Sequence, residues 1–240
     1  MFYSSNLQEF LSKLTFALTV IFVAVMAFQY RFEPIAQVDV RADDRLTLII
    51  DPGHGGEDGG AVTSDGVLES EINFRIAEKL QLAAGFMGTS AVMTRESLGI
   101  EYPEAARSTR ERKNYDQRSR VELINSYPNA VLISIHQNKF PDGRPRGPQV
   151  LYARTEGSQE FGEIAHGNLL SLLYPESRRV AAPISESIYI TKMITCPAIL
   201  VECGFLSNRT EAELLQDPDY QRKLALVLLG SYLQYTEGSL

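Results

Sequence analysis

Three histidines, His54, His136 and His166, are all that this chain of 240 residues offers for imidazole chemistry. Two of them stand just beyond apolar runs: His54 lies three residues past "LTLIID", and His136 directly follows "AVLISI". Two imidazoles brought together at a sheet edge suit zinc. In hydrolytic sites zinc takes three protein ligands from His, Glu and Asp and keeps a fourth position for water. The third ligand must come from an acid nearby, and Glu57, Asp58, Asp65, Glu69 and Glu71 all follow His54. Glu69 sits where the first helix should begin, after a glycine-rich loop long enough to fold back, and position favours it modestly. Glu71 lies further in and is the weaker choice. Another apolar run, "AILVE", ends on Glu202. A carboxylate closing a buried strand must be paired, metal-bound or proton-shifted, and a salt bridge to a neighbouring arginine is the alternative to a chemical role. His166 falls mid-helix, where a packed or solvated ring is expected.

These side chains need a frame. Apolar runs over 46–51, 89–94, 130–135, 149–153 and 198–202 predict strands. Helical spacing of apolar residues predicts helices over 70–85, 116–127, 158–173 and 220–235, and Asn208 with Glu211 reads as a capping pair. Strands alternating with helices, each strand apolar throughout, predict an α/β fold: a three-layer domain over 45–237 with a mostly parallel twisted sheet flanked by helices. In such sheets ligands bind beyond the carboxyl ends of the strands, where His54 and His136 fall. The polar stretch 96–115 is a loop or lid candidate, because loops of that length are uncommon without a role.

The stretch "IIDPGHGGEDGGA" raises a competing reading, a phosphate-binding loop. The dinucleotide fingerprint needs three glycines and a helix opening directly after them. Here Asp58 takes the place of the third glycine, the helix starts only near Ser70, and Asp51, Glu57 and Asp58 would repel a phosphate. A net charge of −7 argues equally against nucleic acid as a partner. The local basic cluster Arg107, Arg110, Arg112, Lys113, Arg118 and Arg120 reads as a solvated loop and helix face. Cys196 and Cys203 form no C-x-x-C pair and are expected as two buried thiols. Arg95, just past the second strand, is placed either to meet an acidic group of a substrate or to pair with a carboxylate such as Asp51.

The N-terminal stretch "LTFALTVIFVAVMAFQY" carries no charge. Its length lies between a signal-peptide core and a minimal membrane span, so residues 1–30 read as a signal peptide or membrane anchor, with a polar linker over 31–44.

Taken in order, "IIDPGHGGEDGGA", "LESEINFRIA", "VMTRES", "RVELINS", "LISIHQN" and "PAILVECGFLSN" resemble the zinc-dependent N-acetylmuramoyl-L-alanine amidases of the amidase-3 type. The likeness runs from about Leu46 to Tyr235. It implies a twisted, mostly parallel sheet and a Zn2+ cofactor held by His54, Glu69 and His136, with Glu202 as the catalytic glutamate. The second motif usually has a lysine where this chain has Ser70, and position 137 is variable in the family. The implied activity is hydrolysis of the amide joining the lactyl group of muramic acid to L-alanine in peptidoglycan, outside the cytoplasmic membrane. Within the family, the short single-domain layout, the apolar N-terminus and "ARSTRERKNYDQRSR" are most similar to members acting on spore cortex, which implies the forespore envelope, maturation or germination. A monomer is expected, with the N-terminal segment at the membrane and an activator or localising protein as partner. A zinc peptidase cutting within the stem peptide and a non-catalytic wall-binding protein of the same fold are the rival readings.

Overall fold

Three apolar runs, "TLIIDP", "AVLISIHQN" and "AILVECGF", become the middle of a six-stranded sheet. They form β1 (Thr47–Pro52), β3 (Ala130–Asn138) and β6 (Ala198–Phe205). The computed structural model describes residues 46–238 and, ahead of them, Lys13 and Leu14, both helical and exposed. The N-terminal apolar segment and the linker therefore lie, apart from Leu14, outside the described residues. No helix among the described residues is long and apolar enough to cross a membrane.

Around these strands stand β2 (Ala91–Met93), β4 (Gln149–Tyr152) and β5 (Ala182–Pro183), in the spatial order β2-β1-β3-β6-β4-β5. β1 pairs in parallel with β2 and β3, and β3 with β6. β4 runs antiparallel to β6 and parallel to β5. The mostly parallel sheet predicted from the sequence is present, with one reversal.

Parallel strands are covered on both faces, and successive residues alternate between them. Leu48, Ile50, Ile133 and Val201 face one side, joined by Ile72, Ile76 and Leu80 of α1 (Glu69–Phe86), by Phe161 of α3 (Ser158–Leu173), and by Leu224 and Leu228 of α6 (Pro218–Gly238). Ile49, Leu132 and Ala198 face the other side, with Val121 and Ile124 of α2 (Thr109–Asn125) and Ile194 just beyond α4 (Tyr189–Met193). α5 (Arg209–Gln216) packs against α6 and β6. This is the three-layer arrangement expected.

The boundaries differ in ways that matter to the site. β3 and β6 continue past Ile135 and Glu202, so His136 lies on a strand and not beyond it, and Glu202 lies inside its strand and not at its end. The ladder between them shifts register: His136 stands opposite Glu202 and Asn138 opposite Phe205. α2 begins seven residues before the predicted start, so the last third of the supposed 96–115 loop is helix. Ser108 accepts from the Glu111 backbone and Glu111 answers to the Ser108 backbone, a complete capping box. Such a cap contributes about 1 kcal/mol, and its signature S-x-x-E stands in the sequence as Ser108 to Glu111. At α5 the predicted pair is only half made. Asn208 caps the Glu211 backbone, but the Glu211 carboxylate turns inward to Gly147 N at 2.6 Å and Phe205 N at 2.8 Å.

Candidate active site

β1 delivers the chain into its glycine loop at the carboxyl edge of the sheet. Gly53 passes so close to the neighbouring strand that a Cβ there would stand 2.2 Å from the His136 ring. His54 then adopts φ 61°, a left-handed conformation that few residues other than glycine take up. Gly60 has φ 69°, and a Cβ on it would meet Glu69 Oε2 at 2.6 Å. The loop thus folds back over the start of α1, as its length suggested.

Three side chains converge there. His54 Nε2 lies 3.4 Å and His136 Nδ1 3.1 Å from the same oxygen, Glu69 Oε1. The two rings meet edge to face with centroids 5.0 Å apart. Among the described residues these three form the group able to hold a metal ion, with ligand atoms all within 4.8 Å of one another. Two donors bound tetrahedrally at about 2.1 Å stand roughly 3.4 Å apart, close to the two separations from Glu69 Oε1, and the His2Glu donor set is one zinc accepts. Glu57, Asp58, Asp65 and Glu71, the other acids that could have supplied the third ligand, are not in the group. Glu57 pairs with Arg112, Asp58 with His54 and Lys113, and Asp65 receives a bond from Gln216.

Glu69 is buried and fixed from several directions. Ala61 N donates to Oε2 at 2.8 Å, and Gln137 N donates to Oε1 at 3.0 Å. Asn73, one helical turn on, reaches Oε1 at 3.4 Å and also donates to Gly53 O. Gln137 Nε2 holds Asn73 in turn. Burial would raise the Glu69 carboxyl, but its bonds to His136 and His54 outweigh this and hold it well below the usual range. The reverse balance holds at His54: burial lowers it, while Asp58 and Glu69 carry it up to about 9.

Glu202 stands beside this group on β6, as the register partner of His136. Its Oε2 is buried and has no hydrogen-bond partner. Burial pushes the carboxyl up to about 7, with His136 opposing and Glu69 adding. No arginine pairs with it among the described residues, so the salt-bridge alternative does not hold. What results is a titratable carboxyl held near neutrality beside three candidate metal donors.

The cations are placed differently from the expectation. Arg95 meets neither Asp51 nor open solvent. Its guanidinium is spent on the carbonyls of Pro52, Ser97 and Ser70 and lies over the Phe74 ring. The partner of Asp51 is Arg120, which is 2% exposed and so leaves the solvated face to Arg107, Arg110, Lys113 and Arg118, with Arg112 half-buried. Arg120 Nη1 meets Asp51 Oδ1 at 2.8 Å, Asp116 grips Nε, and Nη2 donates to His54 O at 2.6 Å. Thr94 and Ser134 complete the Asp51 carboxylate. The sequence offered Arg95 as a partner for Asp51, and the structure gives that place to Arg120. The segment before α2 also packs on the glycine loop: Gly56 N donates to Leu98 O, and Glu57 N to the Tyr102 hydroxyl. His166 is packed, its Nδ1 accepting from Val150 N. Both cysteines are buried and free.

Known proteins resemble the chain in sequence and in fold. The chain is 35% identical over 189 residues to the germination-specific N-acetylmuramoyl-L-alanine amidase of Bacillus subtilis (strain 168), covering 78% of each chain. It is 28% identical to the amidase LytC of the same organism, over 79% of this chain but only 35% of that protein. Among solved structures, the CwlD amidase from Clostridioides difficile, determined in complex with the GerS lipoprotein, superposes with a TM-score of 0.77 at 32% identity, over 81% of this chain and all of that one. The family model Amidase_3, N-acetylmuramoyl-L-alanine amidase, matches residues 48–229. That match takes in His54, Glu69 and His136 and the neighbouring Glu202, and the chain belongs to the Amidase_3 family of peptidoglycan amidases.

Proposed function

We propose that the chain cleaves the amide between the lactyl group of N-acetylmuramic acid and L-alanine with a zinc ion held by His54, Glu69 and His136. The convergence of both ring nitrogens on one Glu69 oxygen carries this reading. Bound there, zinc would supply Lewis acidity at an open fourth position.

Glu202 is the proton carrier. Its carboxyl is pushed toward neutrality by burial, so it can take a proton from the attacking water and release it to the departing alanine nitrogen. The unpartnered Oε2 is free to do so, since no bond within the chain must break first. Glu69 stays ionised under the pull of two histidines, and its two backbone donors keep it aimed at the same point throughout.

Spore cortex is the proposed wall, acted on during maturation or germination. Similarity to the germination-specific amidase and to CwlD supports it. The uncharged N-terminal stretch would deliver the domain across the membrane as a signal or anchor, a placement outside the cytoplasm that suits a wall substrate. The domain itself acts as a monomer, and a lipoprotein of the kind seen with CwlD would serve as activator or localising partner.

One experiment tests the reading: digestion of vegetative and cortex peptidoglycan, with and without a chelator, followed by mass spectrometry of the muropeptides. The expected result is new N-terminal alanine from cortex, abolished by the chelator. Shortened peptides would assign a peptidase instead, and intact peptidoglycan with either wall would assign a binding protein.

A further inference from the structure

Asp58 stands behind His54 and not among the converging donors. Its Oδ1 lies 3.0 Å from Nδ1, while Nε2 on the far side of the ring faces Glu69. The other Asp58 oxygen lies 2.8 Å from Lys113 Nζ. Lys113 belongs to α2, whose Arg112 and Arg120 also grip the glycine loop, at Glu57 and at the His54 carbonyl.

An imidazole with a carboxylate at Nδ1 keeps its proton there and leaves the Nε2 lone pair free, the form that ligates a metal. His54 needs such a hold. It sits in a left-handed conformation between Gly53 and Gly55, neighbours with no side chains to pack against the ring. Asp58 shares that glycine-rich loop and is itself partly exposed, and the link to Lys113 ties it to a helix.

We propose that Asp58 is a positioning residue that orients the His54 ring for metal binding, and that Lys113 acts through Asp58 by anchoring it to α2. The proposal rests on the zinc reading above.

The test is zinc affinity of the full chain, prepared metal-free and titrated against a chromophoric chelator. Asp58→Ala should weaken zinc by about 10- to 100-fold. Asp58→Asn, whose oxygen still accepts from Nδ1–H, should fall between it and the unaltered chain. Lys113→Met should weaken zinc by a smaller factor, and adding it to Asp58→Ala should change nothing more. The metal-free melting temperature of Lys113→Met should move by no more than about 3 °C, because a half-exposed ion pair contributes little to stability.

Full zinc affinity in Asp58→Ala overturns the proposal. So does a Lys113→Met effect that is equal with and without Asp58, or an affinity loss matched in every variant by a collapse of the metal-free fold. If the unaltered chain binds no zinc, the metal reading itself falls, and the proposal with it.

Discussion

Arg120 donates from Nη2 to the carbonyl oxygen of His54 at 2.6 Å, across 66 positions of sequence. The same guanidinium bonds Pro52 O and Asp51 Oδ1, both at 2.8 Å. One buried cation therefore neutralises the end of β1 and holds the backbone of a candidate ligand in an unfavourable conformation. Arg120→Met would leave the Asp51 charge buried and unpaired, which costs about 3–5 kcal/mol. Thermal melts should show a fall of about 10 °C, and Arg120→Lys should recover part of it.

Asp51 gives the chain an acid limit. Burial raises its pKa, but Arg120, Thr94 and Ser134 outweigh this and bring it to about 2, against 3.8 for a free side chain. A carboxylate depressed in the fold contributes stability that is present above the unfolded value and lost as pH falls through the folded one. The window is therefore about pH 4 down to about 2, and the contribution is roughly 2 kcal/mol. Urea midpoints measured across it should fall steeply in the native chain and much less in Asp51→Asn.

Glu202→Gln keeps the shape of the side chain and removes the proton acceptor. Peptide release from cortex fragments should fall by about 10²–10⁴-fold. Zinc content by elemental analysis should stay at the native level, because Glu202 is not among the converging donors. Equal activity in this variant would remove Glu202 from the mechanism.

Gly53→Ala tests the packing behind the ligands. The added methyl would stand 2.2 Å from His136 Nε2, so the ring or the loop must move. A loss of about 1–3 kcal/mol in stability and weaker zinc binding should appear together in denaturant melts and chelator competition.

The central strands, the helices α1, α3 and α6, and the two converging histidines were legible because each leaves a local mark; position favoured Glu69 only modestly among five acids, and the family resemblance singled it out. Apolar runs mark strands buried on both faces, and a histidine or carboxylate ending such a run marks the functional edge. The support behind them left fainter marks. Arg120 sits in a run of basic residues that looks like a solvated face, and only the three-dimensional approach of α2 to Asp51 singles it out. Arg95 and Asp51 both pointed to ion pairing, yet the geometry gave Arg95 three carbonyls and Asp51 a different arginine. Ser108 and Glu111 did carry their signal, a capping box, inside a stretch whose polarity suggested a loop.

The register shift between β3 and β6 has a bearing on which residues this site can tolerate. At the shift, Gln137 N points to Glu69 Oε1. That direct hold on Glu69 comes from the main chain, so any residue but proline at position 137 carries the donor, while the buried Gln137 side chain adds an indirect hold through Asn73. A change of side chain there removes the link through Asn73 and leaves the direct bond, whereas proline, lacking the N–H, removes both.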